Sequence, residues 1–339
     1  MEAPDIMDEL RERTARAART WRPGAEVVGI RPLTGGTSSL TFTAEMRGVP
    51  EQHRTLVLKV APPGLPPVRN RDVLRQARVM RALAGSPGVV VPPVLFEDAG
   101  DGVDVPPFLA MGFVPGECAE PVLADTRDPA GFVEVRARAL DAAAVLAALH
   151  RVDPAGAGLG DEPVVAPEDE IDRWSRAFAT VPEDLQGDYL GCARALRDTV
   201  PLALPPVVNH GDYRLGNTLC ADGRVASVID WEIWSVGDPR VDVAWLTFFT
   251  DEARHPAAPS DQPSGMPGAR ELLDAYAAAG GPELPDLTWF DALTRFKEAG
   301  ATALLIKRAR RTGVVLPGLA RMAPALPGLL EQARGLVGA

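Results

Sequence analysis

In the sequence Asn209-His210-Gly211-Asp212-Tyr213-Arg214-Leu215-Gly216-Asn217, four residues separate an Asp from an Asn. Asp230 follows 13 residues beyond Asn217, at the end of the apolar run Val225-Ala226-Ser227-Val228-Ile229. An acid, an amide and a second acid in this order are the parts of a phosphoryl-transfer catalytic loop. In such a loop the first Asp orients or deprotonates the attacking hydroxyl, and the Asn and the second Asp hold metal. Each piece alone is common, because His-Gly-Asp occurs in many turns and Asp often closes a strand. Their combination in this spacing constrains the chain most.

Asp212 is the candidate catalytic residue. A carboxylate within hydrogen-bond reach of a hydroxyl accepts its proton and aims its oxygen at the γ-phosphorus. Arg214 can screen developing charge or brace Asp212. Asn217 offers a neutral oxygen to Mg²⁺, which prefers hard oxygen ligands. Gly211 and Gly216 permit sharp turns. Residues 219–230 read as a hairpin turning at Ala221-Asp222-Gly223. Two carboxylates and an amide facing a triphosphate would repel it without a cation, so ATP and Mg²⁺ are expected together.

Upstream, residues 26–31 form a short apolar run, residues 33–39 read Leu-Thr-Gly-Gly-Thr-Ser-Ser, and residues 40–44 alternate. A strand, a Gly-rich turn and a strand are the layout that covers nucleotide phosphates. The donors of Gly35, Gly36, Thr37 and Ser38 would face the oxygens. A plain hairpin with a Gly-Gly turn has the same pattern. In Thr55-Leu56-Val57-Leu58-Lys59-Val60 a charge sits inside an apolar run, and burying it unpaired is costly. Lys59 therefore lies on a solvated face or contacts the α- and β-phosphates, and its place after the Gly turn and before a helix favours the second. Helical periodicity covers residues 68–84, 131–150, 168–179, 183–199, 268–279, 287–311 and 318–335.

These motifs, with Asp230-Trp231-Glu232 and Gly237-Asp238-Pro239-Arg240-Val241-Asp242-Val243-Ala244-Trp245, resemble the aminoglycoside phosphotransferase family of kinase-like small-molecule kinases. His-Gly-Asp-Tyr-Arg-Leu-Gly-Asn is most similar to the branch related to the kinase domain of acyl-CoA dehydrogenase family proteins. The resemblance implies an α+β, bilobal protein-kinase-like fold. Residues 1–114 would form a smaller nucleotide-binding lobe with an antiparallel β-sheet and one main helix. Residues 115–339 would form a larger, mostly helical catalytic and substrate-binding lobe. It further implies a hinge, with Met111, Phe113 and Val114 as candidate adenine contacts. Asn217 and Asp230 become the Mg²⁺ ligands, and Asp242 braces the catalytic loop. The family's helix usually supplies a Glu to pair with the Lys. Gln76 stands at that position here, with Asp72 one turn earlier as a substitute. The expected activity is transfer of the γ-phosphoryl group of ATP to a hydroxyl of a small molecule. The acceptor would be a hydroxylated acid or acyl thioester, or an aminoglycoside or other antibiotic. A nucleotide-binding regulatory protein with weak activity is the reading from another class.

Composition removes other classes. A net charge of -11 disfavours nucleic acid, which needs a basic surface. No stretch approaches the roughly 20 apolar residues of a membrane span. The charged start lacks the apolar core of a signal peptide, so a cytoplasmic protein is expected. Three cysteines, Cys118, Cys192 and Cys220, have no metal-like spacing. The acidic group Glu162, Glu168, Asp169, Glu170 and Asp172 reads as a solvated helix start, and His150 as a cap or core residue.

Overall fold

Residues 40–44 alternate apolar and polar side chains, and they open a strand that buries Phe42, Ala44 and Met46 on one face. The computed structural model describes residues 3–33, 39–313 and 317–338. Gly35, Gly36, Thr37 and Ser38 of the expected phosphate turn lie outside the described residues. Internal contacts divide the chain into two units. The first comprises Met1–Ser86, Val90–Gly116 and Ala226–Trp234; the second comprises Pro87–Val89, Glu117–Val225 and Ser235–Ala339.

The first unit contains α1 (Ala3–Trp21), β1 (Glu26–Pro32), β2 (Leu40–Arg47), β3 (Thr55–Val60), α2 (Val73–Leu83), β4 (Val94–Asp98) and β5 (Phe108–Gly112). Its five-stranded sheet runs β1-β2-β3-β5-β4 with every neighbour antiparallel. Leu56, Leu58 and Val60 of the central strand join Leu10 and Ala18 of α1, Phe42, Phe96 and Phe108 in one apolar cluster. Side chains alternate along a strand, so Lys59 falls on the opposite face, toward α2. The apolar run at residues 89–97 becomes strand only from Val94, because Pro92-Pro93 cannot donate to a ladder. Helix α2 likewise starts at Val73, after Asp72, whose carboxylate accepts from Arg75 N at 2.9 Å. Asp72 is therefore a helix cap and does not partner Lys59.

The second unit contains α3 (Phe132–His150), β6 (Val164–Val165), α4 (Pro167–Phe178), α5 (Tyr189–Asp198), β7 (Val207–Asn209) and β8 (Thr218–Ala221). β9 (Arg224–Val228) pairs with β8 and carries the chain into the segment belonging to the first unit. β10 (Ser235–Gly237), α6 (Arg240–Phe248), α7 (Ala269–Ala278), α8 (Leu287–Thr312), α9 (Pro317–Met322) and α10 (Leu326–Leu336) follow. Helix α8 runs through the core, burying Phe290, Leu293 and Phe296 against Trp174, Phe178, Trp245 and Phe248. Two expected helices are interrupted. Residues 183–199 break at Gly187, whose φ of 52° is left-handed, and α5 starts after the cap Asp188. Residues 318–335 split at Ala323-Pro324-Ala325, where a proline interrupts the helical hydrogen bonds. The architecture is α+β, an antiparallel sheet in one unit and a helical body in the other. Among the described residues no helix is long and apolar enough to cross a membrane.

Candidate active site

The catalytic loop is placed by a short antiparallel pairing within the second unit. β7 and β10 align Asn209 with Ser235 and Val207 with Gly237. Asn209, the last residue of β7, donates from Nδ2 to the Asp238 carbonyl at 3.1 Å, which ties the start of the loop to the chain entering α6. Asp242, in the first turn of α6, uses both oxygens on this loop. It accepts from His210 N at 2.6 Å and from Gly211 N at 2.8 Å. Gly211 has a φ of 87°, a left-handed turn that a side chain would strain. Asp242 is fully buried, which pushes its carboxyl up. His150, His210 and the His210 amide outweigh burial and hold it below its ordinary value. His150, at the end of α3, stands 3.7 Å from Asp242 by Nε2 and bonds the Tyr276 hydroxyl through Nδ1 at 2.7 Å. It is a core residue supporting the brace. Asp238 secures the start of α6 through Arg240 and the Leu204 amide.

Asp212 then projects from a fixed backbone. Its Oδ1 accepts from Trp245 Nε1 at 2.6 Å and from Arg214 Nε at 3.3 Å. Its Oδ2 accepts from Asn217 Nδ2 at 2.7 Å, and the same amide bonds the Asp212 carbonyl at 2.7 Å. Arg214 is shared with Glu120, whose Oε2 lies 3.3 Å from Nη1 and accepts from Gly216 N at 3.0 Å. Burial raises the Glu120 carboxyl, against Arg214 and the Gly216 amide. A Cβ on Gly216 would meet Arg214 Nη1, so a larger residue here would push the guanidinium aside. The Arg214 guanidinium also lies 5.5 Å from the Phe249 ring centre.

Behind the loop, α8 contributes two charged residues. Lys297 is buried and donates to the Gly211 carbonyl. Glu298 is pushed up to about 7, first by burial and then by Asp212, with Lys297, Arg214 and Thr302 opposing. His255, 3.7 Å from Glu298, is pushed down to about 3 by burial and by Arg214, so it is a neutral ring at physiological pH. Glu298 keeps its proton in the fold while an unfolded chain loses it near the ordinary value of 4.5. Its contribution to stability is therefore complete below 4.5 and is lost as pH rises to about 7. A shift of this size corresponds to about 3 kcal/mol. Glu298→Gln is expected to flatten the fall in melting temperature over that window, measured by calorimetry across pH.

In the first unit, Lys59 Nζ donates to Gln76 Oε1 at 3.0 Å and ion-pairs with Asp230 Oδ1. The amide supplies a hydrogen bond and Asp230 supplies the countercharge. Asp230 has a φ of 67°, unusual for a residue with a Cβ and characteristic of functional turns. The segment after it is fixed to α2. Trp234 Nε1 donates to Arg75 O at 3.2 Å, Arg75 Nη1 donates to Trp234 O at 3.0 Å, and the guanidinium stacks 3.9 Å from the indole.

The sequence matches the phosphotransferase enzyme family, APH, over residues 29–293. The chain belongs to this family. It is 27% identical over 290 residues to acyl-CoA dehydrogenase family member 11 of Pongo abelii, covering 80% of this chain and 35% of that protein. The chain thus spans 35% of the length of this curated relative. Viomycin phosphotransferase of Streptomyces vinaceus is 33% identical over 184 residues, covering 50% of this chain and 60% of that protein. Among solved structures, a putative aminoglycoside phosphotransferase from Ralstonia eutropha has a TM-score of 0.72 at 21% identity, covering 97% of both chains. The GDP and kanamycin complex of an aminoglycoside phosphotransferase has a TM-score of 0.62 at 18% identity, covering 95% of this chain and 98% of that one. These TM-scores show the shared kinase-like fold. The family is one of phosphotransferase enzymes.

Within this APH chain, Met111 lies in β5 opposite Val57 and Val94, half-buried. Phe113 is 47% exposed, and its amide bonds Thr55 O at 3.4 Å. The Gly112 amide bonds Pro93 O at 2.9 Å. Val114 follows outside the strand, half-buried. Sequence reasoning did not find Glu120, Trp234, Lys297 or the bond from Trp245 to Asp212. Trp245 lies in the string that carried the family resemblance. Glu120 and Lys297 stand 92 and 85 residues from Asp212 in the chain, in stretches without a local signal.

Proposed function

We propose that this chain transfers the γ-phosphoryl group of ATP to a hydroxyl of a small molecule, with Asp212 accepting the hydroxyl proton. One observation carries the reading: both oxygens of Asp212 are held by Trp245, Arg214 and Asn217 in the family's loop. A carboxylate aimed this way takes a proton along one direction and leaves the alkoxide facing the phosphorus. Arg214 steadies Asp212 and screens charge building on the transferring group.

Asn217 and Asp230 are the proposed ligands of Mg²⁺. The Asn217 Nδ2 is committed to Asp212, so its oxygen is the atom suited to a hard cation. Mg²⁺ is usually held by one or two protein oxygens together with substrate phosphates and water, which suits this pair. When bound, Mg²⁺ neutralises the phosphate oxygens and favours departure of ADP. Residues 1–114 form the nucleotide lobe in this reading, and residues 115–339 the catalytic and acceptor lobe. Gly35, Gly36, Thr37 and Ser38 would cover the phosphates and Lys59 would exchange Asp230 for them. Met111 and Phe113 would contact adenine, with the Val114 amide as the hinge donor, since those of Gly112 and Phe113 are engaged. A cytoplasmic location, where ATP is supplied, suits this activity. Lys59→Ala is expected to raise the KM for ATP roughly 10- to 100-fold, the worth of one charge-assisted contact. A KM within twofold of wild type would remove Lys59 from the nucleotide site.

The acceptor is a hydroxylated acid or acyl thioester, or an aminoglycoside or other antibiotic. A cavity of about 320 Å³ lies in the first unit, beside α1 and far in sequence from the loop, and a polar one of about 490 Å³ lies in the second. The second is lined by Arg127, Arg254, Asp251, Asp261, Thr250 and His255. Arg127 bonds backbone carbonyls at Val122 and Gln262, and among the described residues neither Arg127 nor Arg254 has an ion pair. Two aspartates share the lining with the two arginines, so its formal charge balances and it suits a polar acceptor that both donates and accepts hydrogen bonds. His255 stacks 4.7 Å from Phe249, the ring beneath Arg214, which links this cavity to the catalytic loop. The test is ADP release from Mg²⁺-ATP over aminoglycosides, macrolides, sugars, choline-like alcohols and hydroxyacyl thioesters. Stimulation by at least one hydroxylated member, weakened in Arg127→Ala, is expected. Stimulation left unchanged by Arg127→Ala would remove this cavity from the acceptor site.

A further inference from the structure

We propose that Lys297 is a positioning residue for phosphoryl transfer, holding Asp212 in place through Gly211 and Trp245. This role rests on the reading of Asp212 as the base. An ammonium is expensive to bury, and buried lysines normally meet a carboxylate. Lys297 is 6% exposed, yet its Nζ is held by the Gly211 carbonyl and by the face of Trp245, 3.9 Å from the ring centre. Burial lowers its proton affinity, while the charges of Asp212, Glu170 and Asp242 work against that. Glu170 is itself occupied by the Trp174 indole at 3.1 Å, and Asp242 by the loop amides.

Both contacts of Lys297 lead to Asp212. Gly211 precedes it in the chain, and its left-handed turn sets the direction in which Asp212 leaves the backbone. Its amide is fixed by Asp242 on one side and its carbonyl by Lys297 on the other, so the peptide flanking Asp212 cannot rotate. Trp245 Nε1 donates to Asp212 Oδ1, and a cation over an indole fixes the ring plane and makes its N–H a stronger donor. A misplacement of about 1 Å in a reacting group can cost roughly 100-fold in rate. Lys297 thus has the geometry of a second support beneath the base, 85 residues away in the chain.

Lys297→Met keeps the length of the side chain and removes the charge, leaving the Gly211 carbonyl without its donor, so the fold is expected to survive with a modestly lower melting temperature and the indole resonance decides the role. Trp245→Phe, a smaller change, keeps the ring and deletes the donor. Two readouts are combined. The first is ADP release from Mg²⁺-ATP with the acceptors named above and with water. The second is the ¹H–¹⁵N indole resonance of Trp245, assigned by its disappearance in Trp245→Phe. Lys297→Met is expected to lower kcat roughly 100-fold with the KM for ATP within twofold, and to move the indole resonance. Adding Trp245→Phe is expected to lower kcat little further, because both residues act on one carboxylate. Wild-type turnover with an undiminished rate and an unmoved indole in Lys297→Met would overturn the role of Lys297 alone. So would a rate loss accompanied by a lower melting temperature and an unmoved indole, which describes a merely structural lysine. Absence of ADP release by the wild-type protein would overturn the phosphotransferase reading and the role of Lys297 with it.

Discussion

Replacing Asp212 with Ala should abolish turnover, by about 10³- to 10⁴-fold, while leaving ATP binding close to wild type. The separation follows from the contacts of Asp212. Its carboxylate is bonded to Trp245, Arg214 and Asn217 within the loop, whereas the residues proposed to meet the nucleotide belong to the first unit. Removing the base costs the proton transfer and the aim of the attacking oxygen, and neither contributes to ground-state nucleotide affinity. The side chain is 28% exposed, so Ala leaves no sealed cavity and the fold is expected to remain intact. Asp212→Asn keeps the shape and most hydrogen bonds but cannot accept the proton, and should be nearly as inactive. Isothermal titration with ATP beside an ADP-release assay distinguishes chemistry from binding. Near wild-type kcat in either variant would remove Asp212 from its role.

Asp242→Ala should be damaging for a different reason. The side chain is completely buried, and its two oxygens accept from the amides of His210 and Gly211. Truncation leaves two buried donors unsatisfied and removes the carboxylate 3.7 Å from His150 Nε2. Each buried unsatisfied group costs roughly 1–3 kcal/mol, so a loss on the order of 3–5 kcal/mol is expected. For a chain of this size that lowers the melting temperature by about 10 °C. Because the carboxyl is held below its ordinary value, its contribution is present above the unfolded value of 3.8 and fades as pH falls through the lower folded value. The stability difference between wild type and Asp242→Ala should therefore narrow in acid. Activity should fall together with stability, unlike in Asp212→Ala, because the loop itself loses its brace. A melting temperature within 2 °C of wild type, less than about 1 kcal/mol, would show that the amides find other partners.

The loop was visible in the sequence because its chemistry is local. Asp212, Arg214 and Asn217 lie within one turn of chain, and their mutual hydrogen bonds need only that spacing. The brace from Asp242 followed from the string that resembles the family, and the paired amides give it a physical form. The sheet was equally readable, since alternation in residues 40–44 and 55–60 sets which side chains face α1 and which face α2. Breakers were harder to weigh. Pro92-Pro93, Gly187 and Pro324 each shortened or divided an element whose apolar pattern ran on. Asp72 shows the ambiguity of a lone acid before a helix, where capping and ion pairing look alike in sequence. The partners of Lys59 depended on tertiary contact, and Asp230 supplies the charge that Gln76 lacks. Lys297 and Glu120 were invisible for the same reason. A lysine in a helix of 26 residues that ends in basic side chains looks solvated until packing buries it.

The most direct measurement follows ADP release from Mg²⁺-ATP over the acceptor panel, with wild type and Asp212→Ala side by side and the acceptor recovered for mass and ³¹P analysis. Phosphoryl transfer to a hydroxyl predicts that at least one hydroxylated acceptor raises ADP release by wild type, returns as its phosphate ester, and is left unmodified by Asp212→Ala. Equal product from both proteins, or phosphate recovered on an atom other than the hydroxyl oxygen, would contradict it.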